Sequence, residues 1–454
     1  MGTISSGAVV NQSIVGDRFY VGLGTANAFN LYVNSSLGSD SNIGTSAALA
    51  YRTIDHAMAQ IPVLSENDTF IINLAGAANH VVSNGFKINQ FLGNKDFFVS
   101  NSGFYSTDAP LTFRATAAPI LLPGVVIASQ TFNPWSGLTR IATTNNVLIA
   151  NLTGKFVRDA LGNIACIRTN TINTFDIAFA GAMTAPLTFF GTGATIVPTT
   201  AGGSTPTALV SGGKVAFQGV FIDNTSAGDF FAGLAVDDGG SAVVEACHIV
   251  SYWGSLAGAL NPSRLLALAS NFDGGYVALG AQAKLQASRS VFFQNDFSIS
   301  MSPMCEALLD QCWAFQTVTP LFSTGNNYPR SPGFLKLNNC NVESAVSLAI
   351  MQSSGQLILS SVDVSDAGSS GVYLSDNAAC AAASLGSTVD NSSFGVVAYS
   401  GAQASVGGAT DIGGGAGDLA VGSLPPMTWA AFHGGPKILA DFTALTGDGS
   451  RVTE

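Results

Sequence analysis

A short phrase recurs along the sequence as VAFQGVFIDN (Val215–Asn224), VVEACHIVS (Val243–Ser251), LQASRSVFFQ (Leu285–Gln294), ALLDQCWAFQ (Ala307–Gln316), LKLNNCNVES (Leu335–Ser344), LILSSVDVSD (Leu357–Asp366), SLGSTVDN (Ser384–Asn391) and ASVGGATDIG (Ala404–Gly413). Each copy places small or apolar residues two apart, with a small or thiol residue three positions further on. Self-similarity at a period of roughly 20–30 residues is typical of a solenoid, in which each coil stacks on the previous one.

One column of the aligned copies sets the spacing of the coils. It contains the small and thiol residues Val220, Cys247, Ser290, Cys312, Cys340, Val362, Ser387 and Ala409. The steps between its members are 27, 43, 22, 28, 22, 25 and 22 residues, and the long step predicts an inserted loop around residues 261–264. Because apolar residues recur every second position within each copy, the copies are predicted to be strands. Several strands per coil and polar turns predict an all-β chain, built as a parallel β-helix.

Charge and composition exclude several classes of protein. The net charge is −11 and the 17 basic residues are scattered singly, an arrangement that suits neither nucleic acid nor anionic membranes. There is no run of 18 apolar residues and no signal-peptide pattern at the start, so we expect no membrane insertion and no secretion. Charged residues make up only 10% of the chain, and so neutral an exterior predicts that a solenoid buries part of it in a homotrimer.

The cysteines and histidines predict neither a metal site nor a cofactor. The six cysteines form no CxxC pair, and three of them (Cys247, Cys312 and Cys340) share the inward column of the repeat. Reduced thiols buried as small apolar residues explain this placement, and disulfides are the alternative. The four histidines are far apart in the sequence and include no metal-binding pair.

The segment LYVNSSLGSDSNIGTSAALAYRTIDHAMAQIP (Leu31–Pro62) does not follow the repeat. A strand leads into a turn rich in glycine, aspartate and asparagine at 38–46, and a short helix is predicted at about 53–60. The apolar face of that helix would cover the open end of the first coil, whose sheet edges are otherwise exposed. The segment resembles the N-terminal cap of right-handed β-helix proteins of the pectin-lyase-like superfamily, particularly bacteriophage tail spikes and tail fibres.

This resemblance implies a right-handed coil and a virion appendage that is made in the host cytoplasm. We expect residues 1–30 to dock on other virion proteins, residues 31–62 to form the entry to the β-helix and its capping helix, and residues 63–417 to form the parallel β-helix. The C-terminal residues 418–454 are expected to cap the last coil or to contact sister chains. A loop that folds back over the solenoid is the alternative for this last segment.

The alignment also sorts outward residues into columns, and one column contains two carboxylates. Its members are Gln218, Glu245, Ser288, Asp310, Asn338 and Ser360. Glu245 and Asp310 would lie two coils apart, or about 10 Å at a coil spacing of about 4.8 Å. Inverting glycosidases separate their carboxylates by roughly 6.5–9.5 Å, so this pair is the candidate for polysaccharide cleavage. The alternative is that both are solvent-facing side chains without a catalytic role.

The neighbouring outward column is a candidate sugar-binding face. Its members are Phe221, His248, Val291, Trp313, Asn341 and Asp363. His248, Trp313 and Asn341, with Trp253 nearby, would offer ring stacking and hydrogen bonds to a glycan. We therefore predict a phage appendage that attaches to a host surface polysaccharide. A depolymerase (hydrolase or lyase) on the same scaffold and a purely structural virion protein are the alternatives, and the sparse charge in these columns favours binding or architecture over acid–base chemistry.

Overall fold

The computed structural model describes the chain between residues 28 and 433 with gaps, together with the strands Asn11–Val15, Arg18–Gly22 and Arg451–Thr453. The gaps are residues 62–63, 66–68, 76–78, 90, 93–109, 123, 145–147, 149, 201–204, 226–231, 255–261, 295–298, 303, 317–321, 325–332, 345–349, 366–370, 376–377, 383–384, 387–393, 399–401, 408–416 and 422–428. Nearly all regular structure in the described residues is strand. The described helices are a 3₁₀ turn at Ala47–Leu49 and an α-helix at Ile54–Ala59, and neither is long or apolar enough to cross a membrane.

Thirty-one of the described strands form three parallel sheets, A, B and C, which share corners and coil around one core. Sheet A contains Ala28–Val33, Thr69–Leu74, Leu111–Ala115, Lys214–Gln218, Ser241–Glu245, Arg264–Leu268, Lys284–Ser288, Glu306–Asp310, Phe334–Ser344, Gln356–Ser365, Ala379–Ala382, Gln403–Gly407, Trp429–His433 and Arg451–Thr453. Sheet B contains Asn79–Val82, Ala194–Pro198, Val220–Ile222, His248–Gly254, Asn271–Leu279, Val291–Gln294, Trp313–Gln316, Leu385–Gly386 and the second halves of Phe334–Ser344 and Gln356–Ser365. Sheet C contains Phe86–Ile88, Ala208–Ser211, Leu234–Asp237, Ile299–Met301, Phe322–Thr324, Ile350–Ser353, Val372–Ser375, Phe394–Ala398, Gly417–Val421 and the second halves of His248–Gly254 and Asn271–Leu279. The predicted all-β parallel β-helix is confirmed.

Two small pairings lie outside these sheets. Asn11–Val15 and Arg18–Gly22 form an antiparallel hairpin, and Leu64–Ser65 pairs in parallel with Phe91–Leu92.

The corner between sheets A and B explains the repeated phrase. One residue at this corner has a positive φ of 45–66° in successive coils, namely Gly219, Ala246, Ala269, Arg289, Gln311, Asn339 and Ser361. The next residue is buried, and where it is serine or cysteine its side chain donates a hydrogen bond to the carbonyl two residues earlier. Ser270 bonds Leu268 O at 3.0 Å, and Cys340 bonds Asn338 O at 3.1 Å. Because this bond ties the residue after the bend to the strand before it, small hydrogen-bonding side chains recur there.

The strand register confirms the two outward columns and adds one coil to them. Between Cys247 and Ser290 lies a complete coil with the strands Arg264–Leu268 and Asn271–Leu279, so the expectation of an inserted loop to explain the 43-residue step was wrong. This coil escaped the alignment because its outward Leu266 and Leu268 are apolar, which removes the alternation of period two. At the far end, Val362 pairs with Leu385, two residues before the predicted Ser387.

A single core runs through the coils because the inward residues of successive strands are in register. Phe113 stacks on Phe217 with ring centroids 5.1 Å apart, and Phe272 stacks on Phe292 at 4.9 Å. These distances match the coil spacing of about 4.8 Å, so identical rings one coil apart pack face to face. All six cysteines are buried and free, which confirms the interpretation of reduced core thiols.

The predicted cap has the expected turn and helix. Asp40 accepts hydrogen bonds from the backbone N–H of Arg52 (2.8 Å) and Thr53 (3.0 Å) and from the Thr53 hydroxyl (3.0 Å). Burial alone would raise the pKa of Asp40, but these hydrogen bonds hold it below its ordinary value. Thr53 in turn caps the helix by accepting from the N–H of His56 at 3.1 Å. The buried face of the helix, which includes Ile54, packs into the core at the start of the coil.

An antiparallel insertion interrupts the interval 63–417 and was not anticipated from the sequence. Its seven strands are Ala118–Ile120, Ile127–Phe132, Leu138–Thr143, Phe156–Arg158, Ile164–Asn170, Thr174–Ala180 and Thr188–Gly191. It leaves the A/B corner after Ala115 and returns to sheet B at Ala194. A Cβ at Gly193 would lie 1.7 Å from the carbonyl oxygen of Thr116, so only glycine lets the two ends of the insertion approach this closely.

The insertion folds back over the outer side of the A/B corner of later coils. It has its own apolar cluster, and a second cluster joins its Leu138, Phe156 and Cys166 to Val291 and Trp313 of the β-helix. Hydrogen bonds also join the two parts, including the Cys166 N–H to the carbonyl of Arg289 at 3.2 Å. This packing places the insertion above the outward columns and creates a cleft between the two.

Candidate functional site

The cleft between the insertion and the β-helix has a volume of about 380 Å³. The insertion lines it with Thr131, Phe132, Asn133, Leu138, Thr139, Arg140, Arg168 and Asp176. The β-helix lines it with Trp313, Asn341, Glu343 and Asp363. Trp313, Asn341 and Asp363 are register neighbours on three successive coils, so the predicted sugar-binding column forms the floor of the cleft.

A network of ion pairs crosses the cleft. Arg140 donates hydrogen bonds of 2.6 and 2.8 Å to the two oxygens of Asp176, which raises the pKa of Arg140. Arg168 donates to Glu343 Oε2 at 2.5 Å, and Trp313 Nε1 donates to Glu343 Oε1 at 2.9 Å. Both carboxylates are largely buried, which favours these charge-assisted hydrogen bonds. The Arg168–Glu343 pair fixes the insertion on the β-helix, whereas the Arg140–Asp176 pair joins two neighbouring strands within the insertion.

Another hydrogen bond joins the insertion to the β-helix on the next coil. Asn133 Nδ2 donates to Asp363 Oδ2 at 2.6 Å. Asn133 Oδ1 accepts from the backbone N–H groups of Trp135 and Ser136 at 2.8 and 3.0 Å. The turn therefore holds the Asn133 amide rigidly against the β-helix.

Trp313 lies in the cleft but does not offer an open aromatic face. The guanidinium of Arg168 lies 4.8 Å from the Trp313 ring centroid, and only 8% of Trp313 is exposed. Phe132, on the insertion, is 50% exposed and lines the same cleft. The accessible ring for stacking is therefore Phe132, which lies outside the repeated phrases of the sequence.

Glu245 and Asp310 are not brought together. Register partners run from Glu245 through Leu268 and Ser288 to Asp310, so three coils separate them and not two. At about 4.8 Å per coil the separation is about 14 Å, beyond the roughly 6.5–9.5 Å of inverting glycosidases. The expected distance of about 10 Å was wrong because the alignment lacked one coil.

Glu245 and Asp310 both lie outside the cleft, and each has different neighbours. Burial raises the pKa of Glu245, while Arg158, Arg114 and a 3.3 Å hydrogen bond from Gln218 oppose the shift. Asp310 accepts hydrogen bonds from Asn338 at 2.6 Å and from Gln311 at 3.2 Å.

The other two predicted sugar-binding residues lie away from the cleft. His248 belongs to the same column as Trp313 but three coils earlier, where it stacks on Phe221 and lies 3.4 Å from an oxygen of Asp273. Trp253 is half-buried and lies on sheet C, which is a different face of the β-helix. The structure therefore brings together Trp313 and Asn341 but neither His248 nor Trp253.

Most of the cleft comes from residues that carry no repeat signal. Phe132, Asn133, Arg140, Arg168 and Asp176 belong to the antiparallel insertion, which has no counterpart in the aligned copies. Glu343 is the second-last residue of the phrase LKLNNCNVES and the only acidic residue of that copy, two positions after Asn341, so the alignment could have indicated it. Among the described residues there is no group of three or more histidine, cysteine or acidic side chains that could hold a metal ion.

Comparisons with known proteins show only distant similarity. No protein family and no curated protein matches the sequence. A solved glycoside hydrolase aligns at 8% identity with a TM-score of 0.19, covering 94% of this chain and 96% of the other. The tailspike protein gp49 from Pseudomonas phage LKA1 aligns at 10% identity with a TM-score of 0.20, covering 81% of this chain and 65% of the tailspike. At such scores neither similarity indicates an activity or an assembly for this chain.

Proposed function

We propose that this chain is a subunit of a bacteriophage tail spike or tail fibre that attaches to a host surface glycan through the cleft. The observation that supports attachment is the cleft itself, a concave site with one exposed aromatic ring and a few fixed polar groups. The resemblance of residues 31–62 to the caps of phage spikes supports the assignment to a virion appendage.

The side chains of the cleft suit a sugar ring. Phe132 offers an apolar face for the C–H groups of the ring, and Asn341 and Arg168 offer hydrogen bonds to its substituents. The ion pairs of Arg168 with Glu343 and of Arg140 with Asp176 hold the walls in place before the ligand arrives. Such preorganisation reduces the entropy lost on binding.

Retention of the purified protein on a panel of immobilised bacterial lipopolysaccharides and capsular polysaccharides tests attachment. Phe132→Ala should weaken binding roughly twofold to tenfold, because an aromatic contact contributes about 0.5–1.5 kcal/mol. Ile172→Ala is the matched control, since Ile172 is 54% exposed on the same insertion and does not line the cleft. Retention on no polysaccharide, or equal weakening by both substitutions, would contradict the proposal.

A depolymerase is the second candidate, and three carboxylates in one cleft favour it. Asp176, Glu343 and Asp363 line the cleft, but each accepts a hydrogen bond from a neighbouring side chain of the fold. The assay is release of oligosaccharides from a retained polysaccharide. Loss of release in Glu343→Gln or Asp363→Asn would place catalysis in the cleft.

The carboxylates predicted from the sequence, Glu245 and Asp310, are tested separately in the same assay. Loss of release in Glu245→Gln or Asp310→Asn would instead assign catalysis to that pair. Retention without release in the unmodified protein supports attachment, and absence of any interaction supports a purely structural virion protein.

The assembly is part of the proposal. We propose a homotrimer on the grounds that charged residues are only 10% of the chain, and docking on other virion proteins through residues 1–30. Sedimentation equilibrium of the full chain measures the number of subunits. A chain that lacks residues 1–30 should keep its glycan binding and lose incorporation into virions.

A further inference from the structure

One acceptor and one donor in the cleft have no partner in the part of the chain that the structure describes. Asn341 is 3% exposed and its Oδ1 accepts no hydrogen bond. Arg168 Nε is likewise buried and donates none, although the Nη2 of the same guanidinium bonds Glu343. Other buried side-chain atoms of the described residues also lack partners, Asn271 Oδ1 among them, but Asn341 and Arg168 line the cleft, where a ligand can supply the missing hydrogen bonds.

Both groups belong to neighbours of Trp313. The guanidinium of Arg168 lies 4.8 Å from the ring centroid of Trp313, and Trp313 is the register partner of Asn341 on the preceding coil. The backbones of adjacent coils are about 4.8 Å apart. A ligand group in this part of the cleft therefore meets an amide acceptor from the β-helix and a guanidinium donor from the insertion.

The chemistry of the pair restricts the ligand group. It must donate a hydrogen bond to Asn341 Oδ1 and accept one from Arg168 Nε. A carboxylate cannot donate, and a protonated amine cannot accept. A sugar hydroxyl can do both through its single oxygen atom, whereas a secondary amide does so with a separate donor and acceptor in one rigid planar group and can also carry an apolar methyl group. Phe132, which is 50% exposed and lines the cleft from the insertion, adds apolar surface for a methyl group attached to that amide.

Charge further restricts the ligand. Three carboxylates and two guanidinium groups line the cleft, and the whole chain carries a net charge of −11. Such a field disfavours a polyanionic glycan.

We infer that the cleft binds an N-acetylated amino sugar within an uncharged glycan. The acetamido N–H donates to Asn341 Oδ1, its carbonyl accepts from Arg168 Nε, and its methyl group packs on Phe132. This inference rests on the proposed attachment to a glycan and names the chemical class that is selected.

Four matched probes test the selectivity, namely the methyl glycosides of N-acetylglucosamine, N-acetylgalactosamine, glucose and galactose. Saturation-transfer NMR and titration of the full chain measure their binding. Each acetamido sugar should bind at least about fivefold more tightly than its hydroxyl counterpart, because only the acetamido group combines the two hydrogen bonds with a methyl contact, and burial of one methyl group contributes about 1 kcal/mol. Asn341→Leu should abolish that preference.

Asn271→Leu is the control for the cost of replacing a buried asparagine. Asn271 is in the same column three coils earlier, is also 3% exposed and does not line the cleft, so this variant should keep the preference. Arg168→Lys is the second test variant in case Asn341→Leu does not fold. It keeps a positive charge near Glu343, lacks Nε and should also lose the preference.

The outcomes separate this inference from the function on which it rests. Equal binding of acetamido and hydroxyl glycosides overturns the inference, and so does a preference that survives in Asn341→Leu. Retention of a polysaccharide from the panel without binding of any acetamido glycoside also overturns it, while attachment stands. Failure to retain any polysaccharide contradicts the attachment itself.

Discussion

Arg168 of the insertion donates a hydrogen bond to Glu343 of the β-helix, 175 residues later in the chain, at 2.5 Å. The same carboxylate accepts from Trp313 Nε1 at 2.9 Å, so Glu343 joins the insertion to two neighbouring strands of sheet B. The cleft exists because this contact and the apolar cluster around it hold the insertion down.

Glu343→Ala should destabilise the docked insertion by about 2–4 kcal/mol, since it leaves a largely buried guanidinium without its carboxylate and an indole N–H without its acceptor. Hydrogen exchange of the strands Leu138–Thr143 and Ile164–Asn170 measures the opening. Glu306→Ala is the control, because Glu306 pairs with Lys284 at 2.8 Å on the surface, and an exposed pair contributes at most about 1 kcal/mol. Equal effects of the two substitutions would show that the Arg168–Glu343 pair does not hold the insertion.

Gly44→Ala should destabilise the cap by about 2–4 kcal/mol. Gly44 has a φ of +66°, and a Cβ there would lie 2.0 Å from Cε2 of Tyr51, so both backbone strain and overlap arise. Gly162→Ala is the matched control, because Gly162 has a φ of +86° and nothing lies within 4 Å of its Cβ position. Gly162→Ala should lower the free energy of unfolding, measured with urea, by about 1–2 kcal/mol. If Gly44→Ala lowers the free energy of unfolding no more than Gly162→Ala does, the overlap with Tyr51 does not contribute to the effect.

Glu245→Gln should stabilise the protein near neutral pH relative to the unmodified chain. Burial raises the pKa of Glu245 above its ordinary value of 4.5, so the folded state binds this proton more tightly than the unfolded state does. The unmodified chain therefore loses stability as pH rises from 4.5 through the raised pKa, and the variant does not. Urea unfolding at pH 4, 5, 6 and 7 should show a gain that grows with pH. A gain that is independent of pH would contradict this account.

The six cysteines should not react with a thiol reagent in the native protein. All are buried, and burial raises the pKa of Cys247 and of Cys305 to about 12, which leaves almost no reactive thiolate at neutral pH. Six thiols per chain should react after denaturation without a reductant. Leu161→Cys is the positive control, because Leu161 is 74% exposed and the new thiol should react in the native state. Fewer than six reactive thiols after denaturation would indicate disulfides.

The repeat predicted the β-helix and most of its register because one coil resembles the next. Side chains at equivalent places meet the same corner geometry, so Cys312 and Cys340 occur at the same place as Ser290. The coil that contains Ser270 was missed since its outward leucines hide the alternation. That one omission changed the distance between Glu245 and Asp310 from about 10 Å to about 14 Å at the usual coil spacing.

Two of the four predicted sugar-binding residues lie in the cleft. Trp313 and Asn341 are there because an in-register column stays on one face of a parallel β-helix. His248 lies three coils away, and Trp253 lies on another sheet. An outward column predicts which residues share one face of the β-helix. It does not predict which part of that face another structural element covers.

The sequence by itself determined the coiling, the capped first coil, the reduced core thiols and the order of the outward columns, because these depend on local spacing and on contacts between adjacent coils. Only the tertiary structure decided where the site lies. Arg168 and Asp176 approach Glu343 and Asn341 through an insertion whose strands pair antiparallel among themselves. Contacts between an insertion and a distant coil depend on how two separate apolar surfaces pack, and no periodicity in the chain encodes that distance.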